Sequence, residues 1–415
     1  MNDPAWIDAA LAAARPQAVA ALLRYFRDLD VAEEAFQDAC LRALSRWNEN
    51  GPPRDPAAWL ILVGRNCALD ALRRKAKHEV LVPDAAEDEV DPGADETELV
   101  ERLDTSHFRD DVLRLLFVCA HPSLAPTQQV ALALRVVSGL SVKEIASAFL
   151  VSESAMEQRI TRAKRAVRDA EVPFESPDAR ERSDRLEAVA AMIYLLFNEG
   201  YSASGGEQHV RVSLCDEAVR LARLLLRLFV AEPEIQGLLA LLLLQHARAA
   251  ARVNAAGEAV LLDQQDRGLW DQEAIAEGLA LVDKLLRADT IGPYGLQAAI
   301  AAVHVRARGP EATDWATIDR LYAALETAQP SPVVTLNHAV AVSKLRGPAE
   351  ALALIEPLAE RLDGYFHFHG VRGALLGQLG RTDDARDAFG RAISLARTPA
   401  EAANIRTHLD GLKSS

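Results

Sequence analysis

The sequence predicts an all-α fold with several domains. Half of its 415 residues are hydrophobic, whereas aromatic residues make up only 5%. This composition, rich in alanine and leucine, favours helices over sheets. No alternating run of β-branched or aromatic residues is long enough to predict a strand. The length indicates about three domains, since a domain commonly takes about 100–200 residues.

Residues 1–78 are expected to form the first domain, with at least three helices. These helices are predicted at residues 18–26, 31–47 and 56–77, and residues 48–53 are expected to form a loop because of their Gly-Pro-Pro sequence. The third helix ends in a basic cluster suited to DNA phosphates, for which a solvated helix face is the alternative. The cluster consists of Arg73, Arg74, Lys75 and Lys77.

Residues 79–106 are predicted to be a flexible acidic linker. Residues 79–110 carry 12 acidic and 2 basic side chains, and Pro83, Pro92 and Gly93 disfavour a long helix. A decorated loop within one larger domain is the alternative. The abrupt change in charge favours two separate lobes on either side of the linker.

Residues 107–170 are predicted to contain a helix-turn-helix. Ser141 and Glu144 have the spacing of a capping box, and Ser152 provides a second N-cap. After Ser152 an apolar stripe, Met156, Ile160, Ala163 and Val167, recurs at helical spacing. The opposite face is polar, as a helix entering a DNA major groove requires. This helix also carries a second basic cluster, made of Arg159, Arg162, Lys164, Arg165 and Arg168. Similar pairs of capped helices also occur in proteins that do not bind DNA.

The remainder of the chain is predicted to be helical. Residues 171–184, which include Pro173 and Pro177, are expected to form a second linker, followed by a helical domain at residues 185–290. Residues 291–415 show a weak 34-residue repeat, the period of tetratricopeptide helix pairs. The repeat pairs Leu345, Ala351, Ile355 and Leu358 with Leu379, Ala385, Phe389 and Ala392. Stacked helical hairpins are therefore expected there.

Composition and motifs argue against several classes of protein. The four cysteines are far apart and unpaired in sequence, which disfavours a disulfide framework or a zinc site. Residues 200–206 lack the Lys-Ser/Thr of a phosphate loop, and His367 and His369 would lie on different helix faces. We expect no catalytic site, no metal and no cofactor. No signal peptide is indicated, and residues 238–244 are too short to span a bilayer, so a cytoplasmic protein without a membrane partner is expected.

The two basic segments together resemble the extracytoplasmic-function (ECF) class of bacterial RNA polymerase sigma factors. The matching stretches are residues 32–38, 58–60, 65–74, 134–135, 139–141, 144–146 and 159–164. The chain also resembles the subgroup with a C-terminal tetratricopeptide-like extension. That likeness rests on residues 119–122, 194–201, 263–267 and 331–334.

This resemblance implies a protein that binds core RNA polymerase, through its β′ clamp and β flap, and promoter DNA. In such proteins the second conserved region contacts polymerase, which falls here on Glu34, Gln37, Asp38 and Arg42. The −10 element would be bound by Asn66, Asp70, Arg73, Arg74 and Lys75. The −35 element would be read by Ser152, Glu153, Ser154, Glu157, Gln158, Arg159, Thr161, Arg162 and Arg165.

Some features of the chain limit or compete with this interpretation. Relatives commonly carry a basic residue at the position of Glu157, so the −35 preference does not transfer. Trp59 is expected to pack in the core rather than to stack on a base. The C-terminal body is expected to take a protein partner or an intramolecular contact. The competing hypotheses are an autonomous helix-turn-helix regulator and a tetratricopeptide-type scaffold with degenerate sigma lobes.

Overall fold

The computed structural model describes residues 5–51, 53–79, 105–149, 151–170, 179–201, 208–252, 260–288, 290–396 and 399–412. Helices are the regular structure within these ranges, so the all-α prediction is confirmed. Most of the predicted acidic linker and half of the second linker fall outside them. The chain divides into two compact units, Met1–Leu195 and Leu196–Ser415.

The first three helices form a bundle. They are α1 (Ala5–Phe26), α2 (Leu29–Asn50) and α3 (Pro56–Glu79), and each packs on the other two. Helix α1 begins well before the predicted residue 18. Pro16 lies inside this helix, where proline is unfavourable, but Ile7 and Ala14 are buried on the same helix, and their burial favours the longer helix.

Tryptophans close one end of this bundle. The Trp47 ring lies 6.4 Å from the Trp6 ring and 5.4 Å from the Trp59 ring, between centroids. Trp59 is only 9% exposed, as expected for core packing. Helix α2 runs on to Asn50, so the predicted loop at residues 48–53 starts too early, and it ends at Gly51, whose φ of 78° favours glycine.

The next four helices form the second half of this unit. They are α4 (Thr105–Cys119), α5 (Pro126–Ala133), α6 (Val142–Ala148) and α7 (Glu153–Asp169). Helix α5 continues into a π-helical turn, Leu134–Ser138, which ends at Gly139 in the left-handed region with a φ of 79°. Helix α7 packs on both α5 and α6.

Helix α1 joins the two halves. It contacts α4 and the π-helical turn as well as α2 and α3. The described residues of the two predicted lobes share an interface, which the sequence did not predict. The part of α1 that was not predicted from the sequence supplies Arg15, which reaches across to the π-helical turn.

The second unit is a series of packed helices. The chain passes between the units within α8 (Ala179–Tyr201). The later helices are α9 (Gln208–Leu228), α10 (Pro233–His246), α11 (Gln272–Leu285), α12 (Pro293–Arg306), α13 (Trp315–Ala328), α14 (Pro332–Arg346), α15 (Pro348–Ile355), α16 (Phe366–Gln378), α17 (Thr382–Leu395) and α18 (Pro399–Gly411). Helix α10 is buried on all sides from Ile235 to Leu244, which accounts for its continuous apolar sequence. A Cβ atom on Gly237 of α10 would lie 2.4 Å from the nitrogen of Gly295 on α12.

The 34-residue repeat corresponds to two helical hairpins. Helices α14 and α15 form the first and α16 and α17 the second. Ala351 and Ile355 are buried in α15, and their counterparts Ala385 and Phe389 are buried in α17. No described helix is long and apolar enough to cross a membrane.

Candidate nucleic-acid interface

Two side-chain caps fix the turn before helix α7. The Ser141 hydroxyl accepts a hydrogen bond from the Glu144 N–H (3.2 Å), and the Glu144 carboxylate accepts one from the Ser141 N–H (2.7 Å). The Ser141 hydroxyl also donates to the Glu144 carboxylate at 2.7 Å. This bond and the one from the Ser141 N–H hold the pKa of Glu144 below its ordinary value. The Ser152 hydroxyl accepts from the Ala155 N–H (3.2 Å) and starts α7. Both predicted caps are confirmed.

The buried stripe of α7 determines which of its residues face outward. Met156 and Ala163 are fully buried, and Ile160 and Val167 are at most 8% exposed. Most of the predicted −35 residues lie on the exposed side. The exposed ones are Ser152, Glu153, Ser154, Glu157, Gln158, Thr161, Arg162 and Arg165. Arg159 is half-buried, with its guanidinium 5.9 Å from the Phe149 ring centroid.

The far end of α7 faces helix α2. Lys164 lies 2.7 Å from the Asp30 carboxylate and 2.5 Å from the Glu33 carboxylate, and Arg168 lies 2.5 Å from Asp30. Burial alone would lower the pKa of Lys164, but Glu33 and Asp30 outweigh burial and raise it. The second basic cluster therefore divides: Arg162 and Arg165 face outward, while Lys164 and Arg168 pair with α2.

Glu33 is the central charge of this contact. It is 4% exposed and lies 3.4 Å from Arg15 and 3.9 Å from Arg135 as well as beside Lys164. Arg15 also donates to the carbonyl oxygens of Val136 (2.9 Å) and Arg135 (3.1 Å). A buried carboxylate needs such partners, because an unpaired charge in the interior is costly.

A second ion pair and a groove border the same interface. Arg24 of α1 lies 3.4 Å from Asp111 of α4, whose side chain is 1% exposed. A cavity of about 580 Å³ runs along α7, and its lining includes Asp30, Glu157 and Arg165. Sequence reasoning missed Arg15, Asp30 and Glu33, because nothing local marks a charge whose partner lies more than a hundred residues away.

The predicted −10 residues lie along helix α3. Asn66 and Asp70 are half-buried, whereas Arg73 and Arg74 are exposed. Arg73 lies 3.7 Å from Asp70, and the Arg74 Nε donates to the Asp70 carbonyl oxygen at 3.3 Å. Lys75 belongs to the same helix, but its side chain is outside the described residues.

An exposed aromatic residue lies beside this basic helix. Tyr25 of α1 is 52% exposed, and the Arg65 guanidinium of α3 lies 5.2 Å from its ring centroid. An aromatic ring next to a cation is suited to stacking on an unpaired base. The sequence analysis did not single out Tyr25, because it lies on a different helix from the basic cluster.

The predicted polymerase-contact residues share the outer side of α2. Glu34, Gln37 and Arg42 are exposed, and Asp38 is half-buried. The same helix exposes two leucines, 65% for Leu41 and 42% for Leu44. Exposed leucines beside polar residues are typical of a protein-binding surface. The signal in the sequence was that neither leucine fits the buried stripe.

The buried stripe of α2 has helical spacing and leaves that outer side free. Its members are Ala32, Ala35, Phe36, Ala39, Ala43 and Trp47.

Comparisons with known proteins agree with this arrangement. Residues 11–78 match the family model of sigma-70 region 2, residues 114–167 that of sigma-70 region 4, and residues 185–286 that of a family of unknown function, DUF6596. The chain is 63% identical over 412 residues to an uncharacterized protein of Rhizobium meliloti (strain 1021), an alignment covering 99% of this chain and 97% of that relative. No solved structure matches the chain.

The family models cover both halves of the first unit and the start of the second. Sigma-70 regions 2 and 4 indicate a DNA-binding role in transcription initiation rather than catalysis. The chain therefore belongs to the sigma-70 family, as an ECF-like sigma factor with a C-terminal extension.

Proposed function

We propose that this protein is a dissociable specificity subunit of bacterial RNA polymerase, which binds the core enzyme and directs it to a small set of promoters. The observation that carries this proposal is one unit with three surfaces: an exposed recognition helix, a basic helix beside an exposed tyrosine, and a polar helix face with exposed leucines. An autonomous DNA-binding regulator needs only the first of these.

The −35 element is assigned to helix α7. Ser154, Glu157 and Gln158 are exposed near its capped N-terminus, the end that enters the major groove in helix-turn-helix proteins. Arg162 and Arg165 are assigned to phosphates, which fix the register of the helix without reading sequence. A glutamate at position 157 is suited to accept from a cytosine amino group.

The −10 element is assigned to the end of α3. Arg73 and Arg74 are exposed and neutralise phosphates, while the half-buried Asn66 contacts a base. Tyr25 adds an exposed ring on which an extruded base can stack. Asp70 orients the Arg73 side chain through their ion pair.

Polymerase is assigned to the outer side of α2, and its β′ clamp and β flap are the proposed contacts. Leu41 and Leu44 supply apolar area, and the surrounding polar residues set the orientation. Leu41→Glu places a charge at the centre of this surface and should weaken binding to the core enzyme. Leu345→Glu makes the same change at a leucine of α14 that is 43% exposed and lies outside this surface, and it is the matched control.

Promoter binding requires the interface between the two halves to rearrange. Lys164 and Arg168 lie on the recognition helix but pair with Asp30 and Glu33 in this structure. Phosphates compete for the same cations, so binding to DNA exchanges one set of anions for another. The described form is thus the closed one, with part of the basic surface already occupied.

The C-terminal body, residues 185–415, is proposed to regulate or support the promoter-binding unit. The body is divided into a helical domain, residues 185–290, and a repeat region, residues 291–415. It follows two lobes, residues 1–78 and 107–170. A linker comes after each lobe, at residues 79–106 and 171–184. A chain truncated near Glu181 tests the role. A truncated protein with unchanged promoter activity and unchanged polymerase affinity contradicts it.

Binding to purified core polymerase decides between this proposal and an autonomous regulator. We expect a stable complex with core enzyme, cooperative binding to promoter DNA within it, and a measurable loss of core binding for Leu41→Glu but not for Leu345→Glu. Tight, sequence-specific duplex binding that is independent of polymerase favours the autonomous regulator instead. The proposed site of action is the cytoplasm, where the chromosome lies.

A further inference from the structure

Two arginines of the second unit contact one tyrosine, and a third arginine lies close to them. The Arg248 Nη2 donates to the Tyr201 hydroxyl at 3.0 Å. The Arg252 Nη1 donates to the Tyr201 carbonyl oxygen at 2.9 Å, and its guanidinium lies 3.5 Å from the ring centroid. The charge of Arg267 is close enough to Arg248 to lower the pKa of that residue. We call Arg248, Arg252 and Arg267 the arginine cluster.

A packed scaffold holds the arginine cluster in place. Arg267 donates through Nη1 to the carbonyl oxygens of His304 (3.0 Å) and Ala307 (2.6 Å), and its guanidinium lies 4.5 Å from the Trp270 ring centroid. Trp270 is 4% exposed and packs in a small core with Ala251. The cations are therefore preorganised, which lowers the entropic cost of binding a ligand.

The arginine cluster has no carboxylate partner among the described residues. Several other arginines of this unit are paired with acids. Such pairs are made by Arg220, Arg223, Arg306, Arg346, Arg372, Arg381, Arg386 and Arg391. Three neighbouring cations without a counter-charge repel one another, and a bound anion would relieve this repulsion.

The pKa shifts of Arg248 and His304 reflect the same uncompensated positive charge. Burial lowers the pKa of Arg248, Tyr201 opposes that shift, and Arg252 and Arg267 lower it further. Burial lowers the pKa of His304 to about 4, and the charges of Arg248 and Arg267 contribute in the same direction. Among the described residues, no carboxylate contributes to either shift.

Several hydrogen-bond donors of the arginine cluster remain available. A guanidinium has five N–H donors. Within the described residues no acceptor meets the Nε or Nη1 of Arg248, nor the Nε or Nη2 of Arg252 and Arg267. Trp270, whose ring lies beside Arg267, adds a buried indole Nε1 that has no hydrogen-bond partner in the part of the chain that the structure describes. These are the groups that recognise an anion with several oxygens.

We propose that the arginine cluster, with Trp270, is a binding site for a phosphoryl anion, either free phosphate or a phosphate group on a small organic molecule. Bidentate guanidinium donors suit phosphoryl oxygens, and three cations suit a dianion better than a single carboxylate. The cluster lies within the stretch that matches the family of unknown function, and it gives that region a ligand-binding role. The inference is independent of the proposed promoter and polymerase contacts.

Calorimetric titration of the full-length protein tests this site. Inorganic phosphate, pyrophosphate and a nucleoside monophosphate are titrated separately against sodium chloride of matched ionic strength, which distinguishes free phosphate from an organic phosphate. The wild type should bind at least one of the three and melt at a higher temperature in its presence, because a ligand that binds only the folded state stabilises it. Arg248→Gln and Arg252→Gln should each weaken binding at least tenfold.

Two further variants keep the test decisive. Arg287→Gln makes the same charge change at an exposed residue outside the cluster and should bind like the wild type. Arg267→Lys keeps the positive charge but loses the forked donors, and it should bind less tightly even when circular dichroism shows native helix content. Absence of binding by the wild type at millimolar anion, or equal affinity for the cluster variants and Arg287→Gln, overturns the proposal.

Discussion

Replacing Asp30 by asparagine should increase the affinity of the free protein for duplex DNA. Asp30 pairs with Lys164 at 2.7 Å and with Arg168 at 2.5 Å, and its side chain is half exposed. Asparagine keeps the shape of the aspartate side chain but removes the negative charge that pairs with Lys164 and Arg168 on the recognition helix. Arg168 then becomes available to phosphates, Lys164 keeps only Glu33 as a partner, and the closed form loses part of its stability.

The size of the effect follows from the exposure of the two pairs. The Arg168 side chain is 58% exposed and that of Lys164 is 18% exposed. Ion pairs at this level of exposure contribute about 0.5 kcal/mol each. Loss of about 1 kcal/mol from the closed form raises the apparent DNA affinity about fivefold when that form dominates.

Fluorescence anisotropy with a labelled duplex at fixed salt measures this change. Any duplex serves, because phosphate contacts do not depend on sequence. Asp8→Asn is the matched control, since Asp8 is an exposed acid on α1 and its replacement gives the same change in net charge. An equal gain for both variants, or no gain for Asp30→Asn, refutes the argument that the contact between the halves limits DNA binding.

Other predictions concern pH, packing and the helix-turn-helix. The pKa of His304 is lowered to about 4, so the unfolded chain takes up a proton before the folded one does. As the pH falls from about 6.5 to 4, the free energy of unfolding should therefore decrease by up to about 1.4 kcal/mol per pH unit. Urea titrations of His304→Gln should show a flatter dependence of stability on pH. A dependence identical to that of the wild type argues against this cause. Gly237→Ala puts a Cβ atom 2.4 Å from the Gly295 nitrogen, and the overpacking should cost roughly 1–3 kcal/mol; a variant more stable in urea contradicts that close approach. Ser141→Ala removes the cap on the Glu144 N–H, which should lower stability by about 1 kcal/mol and weaken duplex binding; unchanged values for both mean that the turn does not depend on the cap.

Local signals in the sequence predicted local structure well. The capping residues Ser141 and Ser152 and the stripe from Met156 to Val167 determine the helix-turn-helix, because caps and apolar spacing act within one or two turns. The polar face of α7 followed from the same stripe. The 34-residue repeat likewise predicted two hairpins of the C-terminal body, in which Ala351 and Ile355 and their counterparts Ala385 and Phe389 are buried.

Contacts between distant segments were not predictable in this way. Glu33 looks like any acid on an amphipathic helix, yet Arg15, Arg135 and Lys164 surround it. The contact between the two lobes was not predicted for the same reason, because only the folded chain shows how α1 joins them. The arginine cluster also depends on tertiary structure, since Tyr201, Arg248 and Arg267 come from three different segments.

Transcription by core RNA polymerase on fragmented genomic DNA, followed by sequencing of the RNA 5′ ends, tests the central claim most directly. The account predicts that adding this protein creates a small set of new start sites that share −10 and −35 sequences. Arg73→Ala and Arg162→Ala should each reduce these transcripts, because both side chains are exposed on the proposed promoter surfaces. Start sites identical to those of core polymerase alone, or transcripts unaffected by both substitutions, would contradict the assignment and favour a scaffold with degenerate sigma regions.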